Sequence, residues 1–154
     1  MAISYIDTNL LVAYYCDEPL SKIVDIILRD LELRVISNLS IIEFYSALSK
    51  KTRCDHIAKA QLDSKSAIKI RKLFNAHVKQ GHFKKITLVN KHYALAQSYL
   101  SKFNTPLRTY DALHLAVAAN ENIHILTTDQ NLFKSAKKLK KKIKFLDERI
   151  RKIL

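Results

Sequence analysis

Short apolar runs recur along this chain between segments of helical periodicity, and that alternation constrains the fold more than any other feature. ISYID comes first, followed by RVIS (Arg34–Ser37), KKITLV, IHILTT and IKFL. Each is bounded by polar residues, as expected of strands buried within a sheet. Between the first two runs, a turn near Asp17-Glu18-Pro19 leads into a helical pattern with Leu20, Ile23, Ile27 and Leu31 on one face; Pro19 suits a helix start. Asn38 or Ser40 is suited to cap the next helix, where Ile41, Ile42, Tyr45 and Leu48 are spaced for burial. A basic amphipathic stretch from about Ile57 to Lys79 predicts one helix or two, with Gly81, the only glycine, as a C-cap. HYALAQSYLSKF predicts a further helix. Pro106 then breaks the chain before RTYDALHLAVAANEN, which is apolar nearly all round and so expected to be central. A last helix is expected from about Gln130 to Lys141. Strands alternating with helices predict a three-layer α/β/α sandwich around a mainly parallel five-stranded sheet, as one domain over residues 1–154.

Composition supports an ordinary globular chain, with 48% apolar and 27% charged residues. No apolar run is long enough to span a membrane, and MAISYIDTN lacks the marks of a secretory signal. Cys16 and Cys54 stand apart without metal-type spacing, which favours reduced thiols and a cytoplasmic location. The charge balance is more informative: 27 Lys and Arg stand against 14 Asp and Glu, a formal net charge of +13. From Ser64 through Tyr110 there are ten basic residues and no acidic one, and KSAKKLKKKIK forms a second basic cluster from Lys134 to Lys144. Such an excess points to an anionic partner, nucleic acid first, although an acidic protein fits the same pattern.

Against this basic background four carboxylates stand out. In open parallel sheets, sites form beyond the carboxyl ends of the strands. Asp7 ends the first strand and Asp129 follows the fourth, Asp111 lies in the first turn of the helix leading into that fourth strand, and Glu43 lies one turn into the helix after the second. Each has an ordinary explanation as a turn former, helix cap, helix edge or dipole partner. All four falling where one pocket is expected favours a shared acidic site. Gathered carboxylates repel one another and raise their own pKa values, and a hard divalent cation such as Mg²⁺ or Mn²⁺ relieves that repulsion. The absence of paired His or Cys argues against zinc. An acidic pocket, a hard metal and basic surroundings together suggest phosphodiester hydrolysis.

YIDTNLLV, ISNLSIIEFYSAL, RTYDALHLAVA and LTTDQNLF resemble, in order and across almost the entire chain, the four motifs of the PIN-domain family. The likeness is greatest to the small toxins of VapC-type toxin–antitoxin pairs. This resemblance implies a five-stranded parallel sheet flanked by helices and Mg²⁺- or Mn²⁺-dependent endoribonuclease activity on RNA. It further implies that Asp7, Glu43, Asp111 and Asp129 line the metal site, with Asn9 orienting a ligand or water and Thr127 at a hydroxyl position beside it. A small antitoxin partner and a homodimer are implied as well. The stretch from about Asp55 to Gln80 carries no catalytic motif and suits either an acidic antitoxin segment or RNA phosphates. His114, three residues after Asp111, is expected to belong to the helix pattern rather than to the chemistry. A non-toxin RNA-processing nuclease of the same family would carry the same motifs, and two other classes compete: a non-catalytic nucleic-acid-binding or interaction module, and a small-molecule phosphotransferase with an aspartyl nucleophile. The latter usually carries a second Asp where this chain has Asn9.

Overall fold

The computed structural model describes residues 3–53 and 59–146. Twelve elements follow one another: β1 (Ile3–Ile6), α1 (Thr8–Tyr15), α2 (Ser21–Asp30), β2 (Leu33–Ser37), α3 (Asn38–Thr52), α4 (Ser64–Lys79), β3 (Lys84–Ile86), α5 (Asn90–Leu100), α6 (Thr109–Asn120), β4 (His124–Thr127), α7 (Gln130–Lys138) and β5 (Ile143–Phe145). The five strands pair in parallel in the order β3-β2-β1-β4-β5, as the alternation of short apolar runs and helical segments predicts.

Strand periodicity decides what lies on each side of this sheet. Successive side chains of a strand face opposite ways, so the aligned residues Tyr5, Val35 and Ile125 share one face. They pack with Ala112, Leu115, Ala116 and Leu132 of α6 and α7, and with Ala96 and Tyr99 of α5. Ile6, Ile36 and Leu126 face the other way, against Leu10 and Leu11 of α1, Val24 and Leu28 of α2, Phe44 of α3 and Phe74 of α4. Helix α6 is the most enclosed element, with every residue from Ala112 to Ala118 buried, in keeping with its nearly uninterrupted apolar sequence.

Several local readings need correction. TNLLVAYY, unread as a helix in the sequence, forms α1 directly after β1, with Asp7 as its N-cap. Its residues are apolar over most of its surface, so it has no polar face from which a period is readable. Neither Asn38 nor Ser40 is the N-cap of α3. Ser37 is, and Ser40 closes a capping box with it: Ser37 Oγ accepts from Ser40 N–H (3.2 Å) and Ser40 Oγ from Ser37 N–H (3.1 Å). Ile42, spaced for burial, is 67% exposed, because Phe44 takes the inward position on α3. The basic helix begins only at Ser64, capped by Asp63, which accepts from Ser66 N–H; Ile57 lies outside the described residues. Gln80 is its C-cap, and Gly81 follows with φ +79°, the left-handed conformation that glycine adopts without steric strain. Helix α7 ends at Lys138.

Phe44 is fully buried against Phe74 (ring centroids 4.4 Å apart) and Tyr15 (5.5 Å). Phe44→Ala is expected to lower stability by about 3–5 kcal/mol, seen as a lower urea midpoint at unchanged slope. An unchanged midpoint would show that this face of the sheet repacks around the cavity.

Candidate active site

The strand order places the site. From β1 the chain builds outward through β2 to β3 on one side, then crosses and builds through β4 to β5 on the other. Connections after β1 and β4 therefore diverge, opening a crevice at the carboxyl ends of these two strands. Asp7 lies at the end of β1 and Asp129 two residues beyond β4. Helix α6, leading into β4, brings Asp111 in its first turn, and α3, following β2, brings Glu43.

Asp7 is buried, and its partners explain how a carboxylate is held there. Oδ1 accepts from Thr8 N–H (2.8 Å), and Oδ2 accepts from the Thr127 hydroxyl (2.6 Å). Thr127 Oγ in turn accepts from Asp129 N–H (2.9 Å) and lies 3.4 Å from Asn9 Nδ2. Thr127 thus ties both aspartates and Asn9 together. The Oδ1 atom of Asn9 is buried without a hydrogen-bond partner. Asp129 also caps α7, its Oδ1 accepting from Leu132 N–H (2.9 Å).

Glu43 is anchored from another direction. Its Oε2 accepts from the Thr8 hydroxyl (2.8 Å) and pairs with His114 Nε2. His114, 1% exposed, reaches the Tyr5 hydroxyl through Nδ1 (2.5 Å), and that hydroxyl also meets Ser37 Oγ (2.8 Å) and Ser40 Oγ (3.1 Å). The residue pattern assigns His114 to the helix rather than to the chemistry, yet it is the buried side chain that pairs with Glu43. A usable signal was its place three residues after Asp111, on the same helix face. Thr8, Tyr5 and the Ser37–Ser40 pair carried no signal of this kind, since each reads as an ordinary strand or cap residue.

The electrostatics follow from this crowding. Burial pushes the Asp7 carboxyl above its ordinary range, more than His114 and the Thr127 and Thr8 hydrogen bonds offset. Asp111 is raised too, by burial first and then by the charges of Asp129 and Asp7. Burial alone would raise Glu43, but the His114 bond and charge together with Thr8 bring it below its usual value. For His114 burial works downward and is outweighed by Glu43, Asp7 and Asp111, so the imidazolium is favoured. A protonated His114 donates through both nitrogens, to Glu43 and to Tyr5, and leaves the Tyr5 O–H to donate to a serine.

The residues present fit a hard divalent cation: the donors are carboxylate oxygens, the charges of Asp129 and Asp7 raise the proton affinity of Asp111, and the buried amide oxygen of Asn9 stands unpartnered. Among the described residues no three His, Cys, Asp or Glu side chains close into a ready-made cage.

Replacing Asp111 by Asn removes the repulsion without changing shape. Because the folded pKa of Asp111 is raised, its contribution is most favourable when protonated and declines as pH rises past the ordinary Asp value. The metal-free Asp111→Asn protein is therefore expected to melt above the wild type at neutral pH, by about 2–4 °C for each kcal/mol relieved, with the gap closing in acid. A variant that melts lower at neutral pH would show that Asp111 chiefly serves the α6 helix start.

Comparison with known proteins bears on the family and the fold. Residues 4–139 match the family model of the PIN domain, whereas no curated protein matches the sequence significantly. Among solved structures, FitAcB of Neisseria gonorrhoeae superposes with a TM-score of 0.66 at 17% identity, over 94% of this chain and 97% of its own. VapC20 of Mycobacterium tuberculosis, a Sarcin-Ricin loop cleaving toxin, gives 0.65 at 15% identity, over 85% and 93%. DNA-bound VapBC of Salmonella typhimurium gives 0.68 at 14% identity, over 94% and 98%. With a family model matching most of its length and a parallel sheet in the same architecture, this chain belongs to the PIN domain family.

Proposed function

We propose that the chain is a metal-dependent endoribonuclease that hydrolyses RNA phosphodiester bonds, acting as the toxin of a VapBC-type toxin–antitoxin pair. The observation that carries this reading is the mutual electrostatic influence of carboxylates from four separate segments, Glu43 acting on Asp7 and both Asp129 and Asp7 acting on Asp111, in a chain whose net charge is +13. An acidic centre on a basic protein is what a phosphodiester requires, since the substrate's charge is attracted by the exterior and the centre holds the cation.

In this reading Asp7, Glu43, Asp111 and Asp129 hold Mg²⁺ or Mn²⁺. The bound cation would supply Lewis-acid activation of water and charge compensation at the phosphate. The chain's own contribution is positional. Thr127 and Thr8 N–H fix Asp7, His114 and the Thr8 hydroxyl fix Glu43, and Asn9 Oδ1 orients a water. One of these carboxylates accepts the proton as water attacks in line with the leaving oxygen. The exposed lysines and arginines of α4 (Lys65, Lys69, Arg71, Lys72) hold the RNA backbone or the acidic segment of an antitoxin. The described residues contain no helix long and apolar enough to cross a membrane, and the reading places the protein in the cytoplasm as a homodimer.

Purified protein should cut a defined RNA with Mg²⁺ or Mn²⁺ and stop with EDTA, and Asp7→Asn and Asp111→Asn should each lose about 10²–10⁴-fold in rate. Cleavage by both folded variants at the wild-type rate would overturn the assignment. RNA binding without cleavage by the wild type would make the chain a binding module. The apparent affinity for RNA should also fall linearly with salt on logarithmic axes; a flat dependence would remove the lysines from substrate binding.

A further inference from the structure

The exposed large apolar side chains of the described residues fall into two kinds. Ile3, Ile26, Ile42, Ile68, Leu73 and Val89 are aliphatic and scattered over strands, helices and loops. The exposed aromatics, Tyr93 (55% exposed), Phe103 (93%) and Tyr110 (57%), all belong to the single segment formed by α5, the loop after it and the first turn of α6. A groove of about 500 Å³ runs there, lined by Tyr93, Gln97, Leu100, Phe103, Thr109 and Leu113. At about 100° per residue, Thr109 and Leu113 occupy one side of α6 and the site residues Asp111 and His114 the other, with Tyr110 between. The groove and the acidic site therefore lie on two sides of a single helix.

Phe103 is held outward by the backbone. It has φ +50°, a left-handed conformation unfavourable for a residue with a Cβ, and its N–H donates to Leu100 O (3.2 Å) to end α5. A ring almost wholly in water adds nothing to the core. The polar surroundings are cationic: Lys91, Lys102 and Arg108 are exposed, and the sequence has no carboxylate from Ser64 until Asp111 itself. Exposed rings flanked by cations match a nucleic acid strand whose bases are free to stack, because each base offers a π-face and each phosphate a charge. A paired duplex hides its base faces and offers nothing for these rings.

We propose that the α5–α6 groove is a base-stacking subsite for unpaired nucleotides of the RNA, flanking the phosphate at the acidic centre, with Phe103 as its main platform. This rests on the ribonuclease reading and adds to it a named surface for the bases, the α5–α6 groove. Tyr110, between groove and acids, is the step by which the strand passes from one to the other.

The test is fluorescence anisotropy with labelled oligoadenylate and with the oligoadenylate–oligouridylate duplex, in EDTA, for wild type, Phe103→Ala, Tyr93→Ala and Phe103→Trp. Oligomeric state is measured by sedimentation and cleavage by the assay above. Phe103 lies in solvent, so its truncation leaves no cavity. Phe103→Ala is expected to weaken single-strand binding about 5- to 100-fold, Tyr93→Ala less, and Phe103→Trp little or not at all. Duplex affinity, salt slope and oligomeric state should stay unchanged. Equal single-strand affinity in wild type and both alanine variants, with metal-dependent cleavage intact, would overturn the subsite and leave the nuclease standing. A change of oligomeric state without a change in RNA binding would make the groove an interface between copies. A wild type that neither binds nor cuts RNA would overturn the ribonuclease reading as well.

Discussion

A carboxylate at the end of a central, buried strand has few ways to exist, and the way Asp7 is held organises the rest of the crevice. One oxygen takes the first backbone N–H of α1 and the other the hydroxyl of Thr127 on the neighbouring strand. The backbone bond from Asp7 N–H to Leu126 O (3.1 Å) fastens the same residue to β4. These contacts fix the ends of β1 and β4 relative to each other at the point where the strand order reverses. Asp129, bound through its N–H to the same threonine hydroxyl, follows from that arrangement.

Charge is balanced here by position. Glu43 leans on the buried His114, and His114 leans on Tyr5, whose hydroxyl is burdened by burial and held by two serines. The resulting network joins β1, α3 and α6 through side chains alone, and buried polar networks of this kind are rigid only when every member is satisfied. Asp7 and Asp111 are left with raised proton affinity. An acidic centre with that strain is stable only in a fold that supplies burial and hydrogen bonds elsewhere. The two apolar cores on the faces of the sheet supply the burial.

The crevice and the aromatic groove also differ in how they are built. Crevice side chains are tied by hydrogen bonds between elements far apart in sequence, whereas the groove belongs to one continuous segment of α5, loop and α6. Pre-organisation is therefore concentrated at the acids, and adaptability at the surface beside them.

The sequence by itself determined most element types and the parallel sheet, because strand and helix periods are local properties, and it marked Asp7 and Asp129 as carboxylates just beyond strand ends. It did not show α1, whose apolar residues leave no polar face to mark a period, nor the burial of Phe44 in preference to Ile42, which depends on the angle at which α3 meets the sheet. His114 shows the boundary most clearly. Its spacing from Asp111 put the two on one helix face, but only the packing of α6 against β1 and α3 brought its two nitrogens to Tyr5 and Glu43. Hydrogen bonds across 71 and 109 residues of chain are decided by tertiary structure, since no local pattern encodes which distant side chain will fill a donor's direction.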